Sequence, residues 1–321
     1  MFITDIEFEG LMAPFLLKTS FAVAVSGGAD SLALALLAKR YADTYGLQMT
    51  AITVDHGLRS NSADEAQWVH DLLTTKGVSH ETCMWGHDAI PQTKIQERAR
   101  NARYDLLGRW CQENNVSTLL TAHHQDDQIE TFFMRLAHQS GLKGLSSMKA
   151  VRTMPFGKLV RPLLSISKTR LIETLEAFEC EWCDDPSNAN DTFERVRLRK
   201  ALEGLYKQGL LAPDTIATSI KKLQTIDDFL DESVAMFFST YALGRFSLKA
   251  FQAQHVVLQK RILVHVIRQL SLASYAPPDA AIDQVCQQLM KPGFKGATIA
   301  GLYFRRSAGS MVEVKQEVRK D

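Results

Sequence analysis

Two rhythms of apolar residues alternate along the first two thirds of this chain. Short runs at 21–25, 49–54, 80–84 and 117–121 read as strands, the first two largely apolar. Between them, at 30–45, 62–76 and 93–114, apolar residues return at helical spacing. Strands alternating with helices of this length predict right-handed crossovers and a mostly parallel sheet. Ser62 and Glu65 have the spacing of a capping box for the helix over 62–76. A further helix is expected from about 128 to 137. Residues 141–157 are glycine-spotted, basic and weakly patterned, which reads as a surface segment or a lid. Helices follow at 167–179 and 193–205. A long helix over 215–241 then leads into helices at 256–272 and 280–290 and a final hairpin over 298–318, turning at Ala308-Gly309-Ser310. The pattern is that of an α/β fold with a helical extension and a small C-terminal α/β domain, divided into 1–212 and 213–321.

In an open parallel sheet, ligands bind beyond the carboxyl ends of the strands. Three polar clusters each follow a strand and are expected to meet at that rim: residues 26–31, 55–59 and 123–127. The first reads SGGADS. Gly27 and Gly28 let the backbone turn sharply and approach a ligand closely. Asp30 or Ser31 can cap the helix that begins there, and strand, glycine loop and helix start together make a cradle for an anion such as a phosphate. The lysine of a Walker loop and the third glycine of a dinucleotide fingerprint are both missing. A carboxylate beside phosphates calls for a divalent cation between them, so Asp30 points to magnesium. The plainer reading is an ordinary strand-to-helix turn.

His123, His124, Asp126, Asp127 and Glu130 form the densest titratable group. Asp127 and Glu130 share a helix face and suit a metal or a cationic substrate. An acidic cluster that merely answers a helix dipole is the alternative. Asp55 and His56 stand where a base or ribose can be held. Arg59 suits either a phosphate or a structural salt bridge. Arg98, Arg100 and Arg103 with Tyr104 offer either phosphate clamps or a solvated helix face. Cys180 and Cys183 read as a buried structural pair rather than a redox or metal site, because no second pair accompanies them.

Composition narrows the setting. The 321 residues are 45% hydrophobic and 23% charged, with formal net charge +1, enough for two cores in an ordinary globular protein. Asp5, Glu7 and Glu9 near the start are wrong for a secretory signal, no apolar run reaches the length of a membrane span, and five cysteines describe no disulfide framework. A reducing cytoplasm is the expected location, with no membrane partner. The charge is uneven, however. No acidic residue lies between Glu130 and Glu173, while Arg135, Lys143, Lys149, Arg152, Lys158, Arg161, Lys168 and Arg170 all do. Such a field is compatible with a nucleic-acid partner or with a solvated basic face.

Taken in order, SGGADS at 26–31, VDHGLR at 54–59, RARNARY at 98–104, AHHQDDQIET at 122–131 and VRPLL at 160–164 resemble the bacterial tRNA(Ile)-lysidine synthetases. The resemblance covers roughly 21–199. It implies a Rossmann-like sheet of the adenine nucleotide alpha hydrolase type, with a PP-loop catalytic domain and a C-terminal domain that grips tRNA. It also implies ATP and magnesium as cofactors, free L-lysine and a CAU-anticodon isoleucine tRNA as partners, and a monomer or homodimer. On matching positions, Asp30, Asp127, Glu130 and His123 become the catalytic set, with Asp30 the magnesium ligand. Ser26, Gly27, Gly28, Asp30, Ser31, Asp55, His56 and Arg103 become the nucleotide site, and Arg59, Arg152, Arg161, Arg195 and Arg199 the tRNA contacts. A tRNA sulfurtransferase and a non-catalytic RNA-binding relative are the rivals. The chain departs from the family at His138-Gln139, where arginine and glycine are usual, and at Val196, where asparagine is usual.

Overall fold

The structure, a computed structural model, describes residues 1–58, 61–86, 95–183, 192, 194–272 and 277–317, the side chain of residue 96 aside. Two compact units divide it, Met1–Lys222 and Leu223–Asp321. The division falls within a helix and lies C-terminal to the boundary expected after residue 212.

The first unit opens with α1 (Asp5–Met12), then β1 (Phe21–Val25), α2 (Ala29–Tyr45), β2 (Met49–Asp55), α3 (Ser62–Thr75) and β3 (Ser79–Met84). It continues through α4 (Ile95–Glu113), β4 (Thr118–Leu120), α5 (Gln125–Ala137), the short α6 (Leu142–Leu145), β5 (Val151–Met154) and β6 (Gly157–Val160). α7 (Lys168–Ala177), α8 (Glu194–Lys207) and the start of α9 (Pro213–Thr240) complete it. Among the described residues its sheet runs β3-β2-β1-β4-β6-β5, parallel except for β5. β1 and β2 pair from Phe21↔Met49 to Val25↔Thr53, and β1 meets β4 through Ala22↔Leu119. Strand order therefore reverses between β1 and β4, which leaves a crevice beyond their carboxyl ends.

Burial explains why these segments take these forms. Phe21, Ala22, Val23 and Val25 are buried on a central strand. α2 is apolar nearly all round over residues 32–38 because it is enclosed by β1, β2, α1 and α7, and Leu32, Leu34 and Leu37 are almost wholly excluded from water. Each such leucine contributes about 1.5–3 kcal/mol of transfer free energy. Among the described residues no helix is long and apolar enough to cross a membrane.

Several local expectations need correction. The capping box of Ser62 and Glu65 does not form; Asn61 is the N-cap residue, and its side-chain amide donates to Glu65 Oε1 at 2.9 Å. α5 starts at Gln125 rather than near 128, because its polar first turn hides the helical period. Residues 141–157, expected as a weakly patterned surface segment or a lid, lie largely at the surface but are regular in structure. They hold α6 and most of the β5–β6 hairpin, whose exposed edge strand carries no apolar alternation. The expected start of α4 at 93, that of α8 at 193, and much of the turn over 182–188 lie outside the described residues.

The second unit continues α9 and adds β7 (Arg245–Ser247), α10 (Leu248–Gln252), α11 (Val256–Leu270), α12 (Asp279–Met290), β8 (Gly296–Ile299), β9 (Leu302–Ser307) and β10 (Met311–Gln316). The expected hairpin is β9–β10, turning through a short 3-10 segment at Ala308–Ser310. It belongs to an antiparallel sheet ordered β7-β10-β9-β8. Phe246, Phe251, Ile262, Leu263, Phe304 and Val312 fill the core of this unit.

The departure at His138-Gln139 has a conformational cost. His138 closes α5 and lies 3.3 Å from Glu194, while Gln139 adopts φ 53°. That left-handed backbone suits glycine and strains a side chain. Gln139→Gly should therefore raise stability by about 0.5–1 kcal/mol in denaturant titration, net of glycine's greater unfolded-state entropy; a loss would show that contacts of the Gln139 side chain outweigh the strain.

Candidate active site

The phosphate cradle forms where β1 runs out. Gly27 has φ +82°, and a Cβ there would lie 2.8 Å from Val69 Cγ2, so both conformation and space demand glycine. α2 begins at Ala29 with Gly28 as its N-cap residue and no side-chain cap. Ser31 and Asp30 do not cap it as expected. Ser31 Oγ instead donates to Gly28 O at 2.9 Å and accepts from Ser26 N–H at 3.1 Å, which braces the loop from within. Cys183 N–H donates to Gly27 O at 3.0 Å, so a segment far along the chain also holds the loop.

The second cluster leaves β4. Thr121 N–H bonds Val160 O at 2.9 Å, His124 is the N-cap residue of α5, and His124 N–H donates to Asp127 Oδ2 at 3.1 Å. The His124 ring, almost wholly buried, joins this cluster to the cradle. Its Nε2 lies 3.3 Å from Asp30 Oδ2 and 3.6 Å from Asp127 Oδ2, while Nδ1 lies 3.4 Å from Asp126 Oδ2. Burial works to neutralise this imidazole, but the carboxylates of Asp126, Asp30 and Asp127 override it and raise its pKa to about 10. Burial likewise opposes ionisation of Asp30, yet bonding and charge from His124, with Lys168 at 3.9 Å, hold its carboxyl below the ordinary value. Asp30 Oδ1 is buried with no hydrogen-bond partner. An anionic oxygen left bare beside a phosphate cradle fits a magnesium ion, which characteristically takes one or two carboxylates plus substrate phosphates. Among the described residues no group of three or more His, Cys, Asp or Glu side chains forms a metal cage.

Asp127 and Glu130 share one face of α5, as expected, but they already have cations. Arg195 of α8 donates from Nη2 to Asp127 Oδ1 and from Nε to Glu130 Oε2, and Arg199 Nε donates to Glu130 Oε1 at 2.7 Å. The Glu130 carboxylate is buried, and such a charge is tolerable only when paired in this way. Arg195 and Arg199 were expected at tRNA; the structure directs them to these carboxylates. Arg161, expected beside them, is buried and donates to Lys149 O at 2.8 Å. Arg152 lies exposed on β5, and Arg59 falls outside the described residues.

At the end of β2, Asp55 Oδ1 accepts from Gly57 N–H at 2.9 Å, and Arg103 donates from Nε to His56 Nε2 at 3.3 Å. Burial and the Arg103 charge push His56 down to about 4. Asp55 and His56, expected at a base or ribose, therefore adjoin Arg103, expected as a phosphate clamp. His123 is bonded outside the His124 hub, though Asp127 acts on it as well. Its Nδ1 lies 3.0 Å from Thr121 Oγ1, and burial, with Arg161, Arg100 and Arg195 nearby, lowers it to about 4. The paired histidines advertised a site, but nothing in their spacing told which one stands at its centre. His124 and Asp126 stand out in the sequence as part of the titratable group but without a role of their own, and nothing in the sequence marks Lys168 as a site residue.

Comparison with known proteins places this arrangement. A family described as a PP-loop domain matches residues 4–204. A tRNA(Ile)-lysidine synthase of Bradyrhizobium sp. is 33% identical across 98% of this chain and 93% of its own length. One from Ruegeria pomeroyi is 34% identical over 83% of the chain, which spans only 64% of that relative. Among solved structures, a U34-tRNA thiolase from Methanococcus maripaludis with its [4Fe-4S] cluster matches with TM-score 0.59 at 19% identity, over 68% of this chain and 77% of its own. That likeness establishes the fold.

Proton linkage gives a test of the hub. The folded His124 value lies above the ordinary 6.5, so its contribution to stability is complete below about pH 6.5 and is lost as pH rises toward 10. His123 and His56, lowered to about 4, contribute fully above pH 6.5 and lose that contribution as pH falls toward 4. His124→Gln should remove part of the alkaline fall in Tm between pH 7 and 10 and leave the acid limb in place. An NMR titration of His124 with a midpoint near 6.5 would refute the three-carboxylate hub.

Proposed function

The chain belongs to the PP-loop family of tRNA(Ile)-lysidine synthases, and we propose that it uses ATP to join free L-lysine to C2 of the wobble cytidine in an isoleucine tRNA with a CAU anticodon. In this reading O2 of the cytidine is first adenylated, releasing pyrophosphate. A lysine amine then attacks C2 and expels AMP. The observation that carries the proposal is the convergence of Asp30 and Asp127 on one nitrogen of His124. It makes the phosphate end and the amine end of the reaction neighbours, as a two-step transfer in one pocket requires.

Each residue has a task that its surroundings suit. The 26–31 loop and the uncapped start of α2 receive the triphosphate. Asp30 would hold magnesium through the oxygen left without a partner, and magnesium when bound offsets charge developing on pyrophosphate. His124 keeps Asp30 ionised and ties it to α5. Asp127 and Glu130 attract the lysine ammonium, which competes there with Arg195. Asp55, His56 and Arg103 line the nucleoside side. An unpaired anticodon base can be splayed into such a crevice at modest cost. His123, with a value near 4, is too weak a base to take the ammonium proton and serves as a neutral hydrogen-bonding wall.

The sulfurtransferase reading draws on the thiolase-like fold and on Cys183 beside the loop. It is weakened by burial of Cys180, which pushes that thiol upward and away from the reactive thiolate.

Purified protein given labelled lysine, ATP, magnesium and unmodified isoleucine tRNA should transfer label to the tRNA, dependent on the wobble cytidine. Asp30→Asn should cut pyrophosphate release by at least about a hundredfold, the scale of losing one preorganised electrostatic group. Asp127→Asn should abolish lysine transfer while leaving tRNA affinity within about threefold of wild type, since nucleic-acid affinity rests on phosphate contacts. Sulfur transfer, or tight tRNA binding with no transfer, would defeat the proposal.

A further inference from the structure

Arg161 directly follows β6 at the rim of the sheet and is only 5% exposed. Its backbone N–H donates to Ala150 O at 2.8 Å, and the preceding Val160 carbonyl accepts from Thr121. The guanidinium donates from Nη1 to Lys149 O, yet its Nε is buried with no hydrogen-bond partner. The acids of the neighbouring pocket pair with Arg195 and Arg199, and among the described residues no ion pair reaches Arg161. A buried cation without a counter-charge is costly, and a fork of N–H donors is shaped for a planar anion.

Position narrows the choice of anion. The phosphate cradle adjoins Asp30, His124 and Lys168. Arg161 instead lies toward His123, because Thr121, whose N–H bonds Val160 O, carries the hydroxyl that contacts the His123 ring. His123 feels Asp127 and Arg161 as its leading opposed charges. An acid and an arginine that touches Lys149 O and Tyr104 but, among the described residues, has no carboxylate partner match, around one neutral ring, the two ends of a zwitterion.

Building on the lysine-transfer reading, we infer that Arg161 binds the carboxylate of the amino-acid substrate and so restricts the second step to amino acids among the available amines. The carboxylate takes no part in bond formation, whichever amine attacks, and is free to serve as a handle. Recognition of this kind discriminates strongly, because an analogue lacking the group leaves a buried charge unmatched.

The test compares lysine with cadaverine, which keeps two amines and lacks the carboxylate. Wild-type protein should prefer lysine in kcat/KM. Arg161→Met should reduce that preference by roughly a hundredfold, within the range for losing a buried charged hydrogen bond, with KM for tRNA unchanged. Arg161→Lys keeps the charge without the fork and should shift the ratio in the same direction by less; it carries the test if Arg161→Met does not fold. Equal losses on both amines would make Arg161 a structural brace and overturn the inference. A change confined to KM for tRNA would assign it to an RNA phosphate and overturn it as well. Wild-type protein that uses lysine and cadaverine equally well would refute the inference and leave amine transfer standing, whereas protein that transfers neither would defeat both.

Discussion

One imidazolium holds the first unit's chemistry together. His124 sits where strand order reverses, contacts a carboxylate from α2 and two from α5, and remains protonated far above the usual range of histidine. Without its charge, the half-buried Asp30, Asp126 and Asp127 would meet with Lys168, Arg195 and Arg199 as the neighbouring cations. Loss of solvation makes such a gathering of anions unstable. The same charge that makes the cluster tolerable keeps Asp30 ionised and directed toward the cradle. Stability and chemistry here rest on the same contact.

A second tier of cations surrounds this centre. Arg195 and Arg199 reach across from α8 to the acids of α5, while Ile129, Leu202, Ile216 and Ile220 pack α5 against α8 and the start of α9. The helical extension is thus part of the pocket wall. Val196, where the resemblance leads one to expect asparagine, is buried on the same helix.

Much of this could be read along the chain. The strands β1 and β2 were plain because each is a compact apolar run before a glycine or a polar cluster, and convergence of the clusters was expected from sheet geometry. What resisted reading was whatever depends on contacts between distant segments. Which histidine of the pair turns inward is decided by Thr121 on one side and Asp30 on the other. The family resemblance implies RNA for Arg195 and Arg199, while their partners lie more than sixty residues back, on α5. The β5–β6 hairpin escaped notice because its outer strand is exposed and so lacks the alternation that burial imposes.

The bond from the Cys183 amide to the Gly27 carbonyl bears on how such a protein can be dissected. Loop and bracing segment are separated by the whole of the sheet's connectivity, so the nucleotide half is not a detachable cassette. A fragment cut after β4 would retain every residue of the phosphate motif and still lack the strut that fixes its curvature. Grafting the motif onto another scaffold would therefore mean carrying over a piece of chain that shares none of its signature.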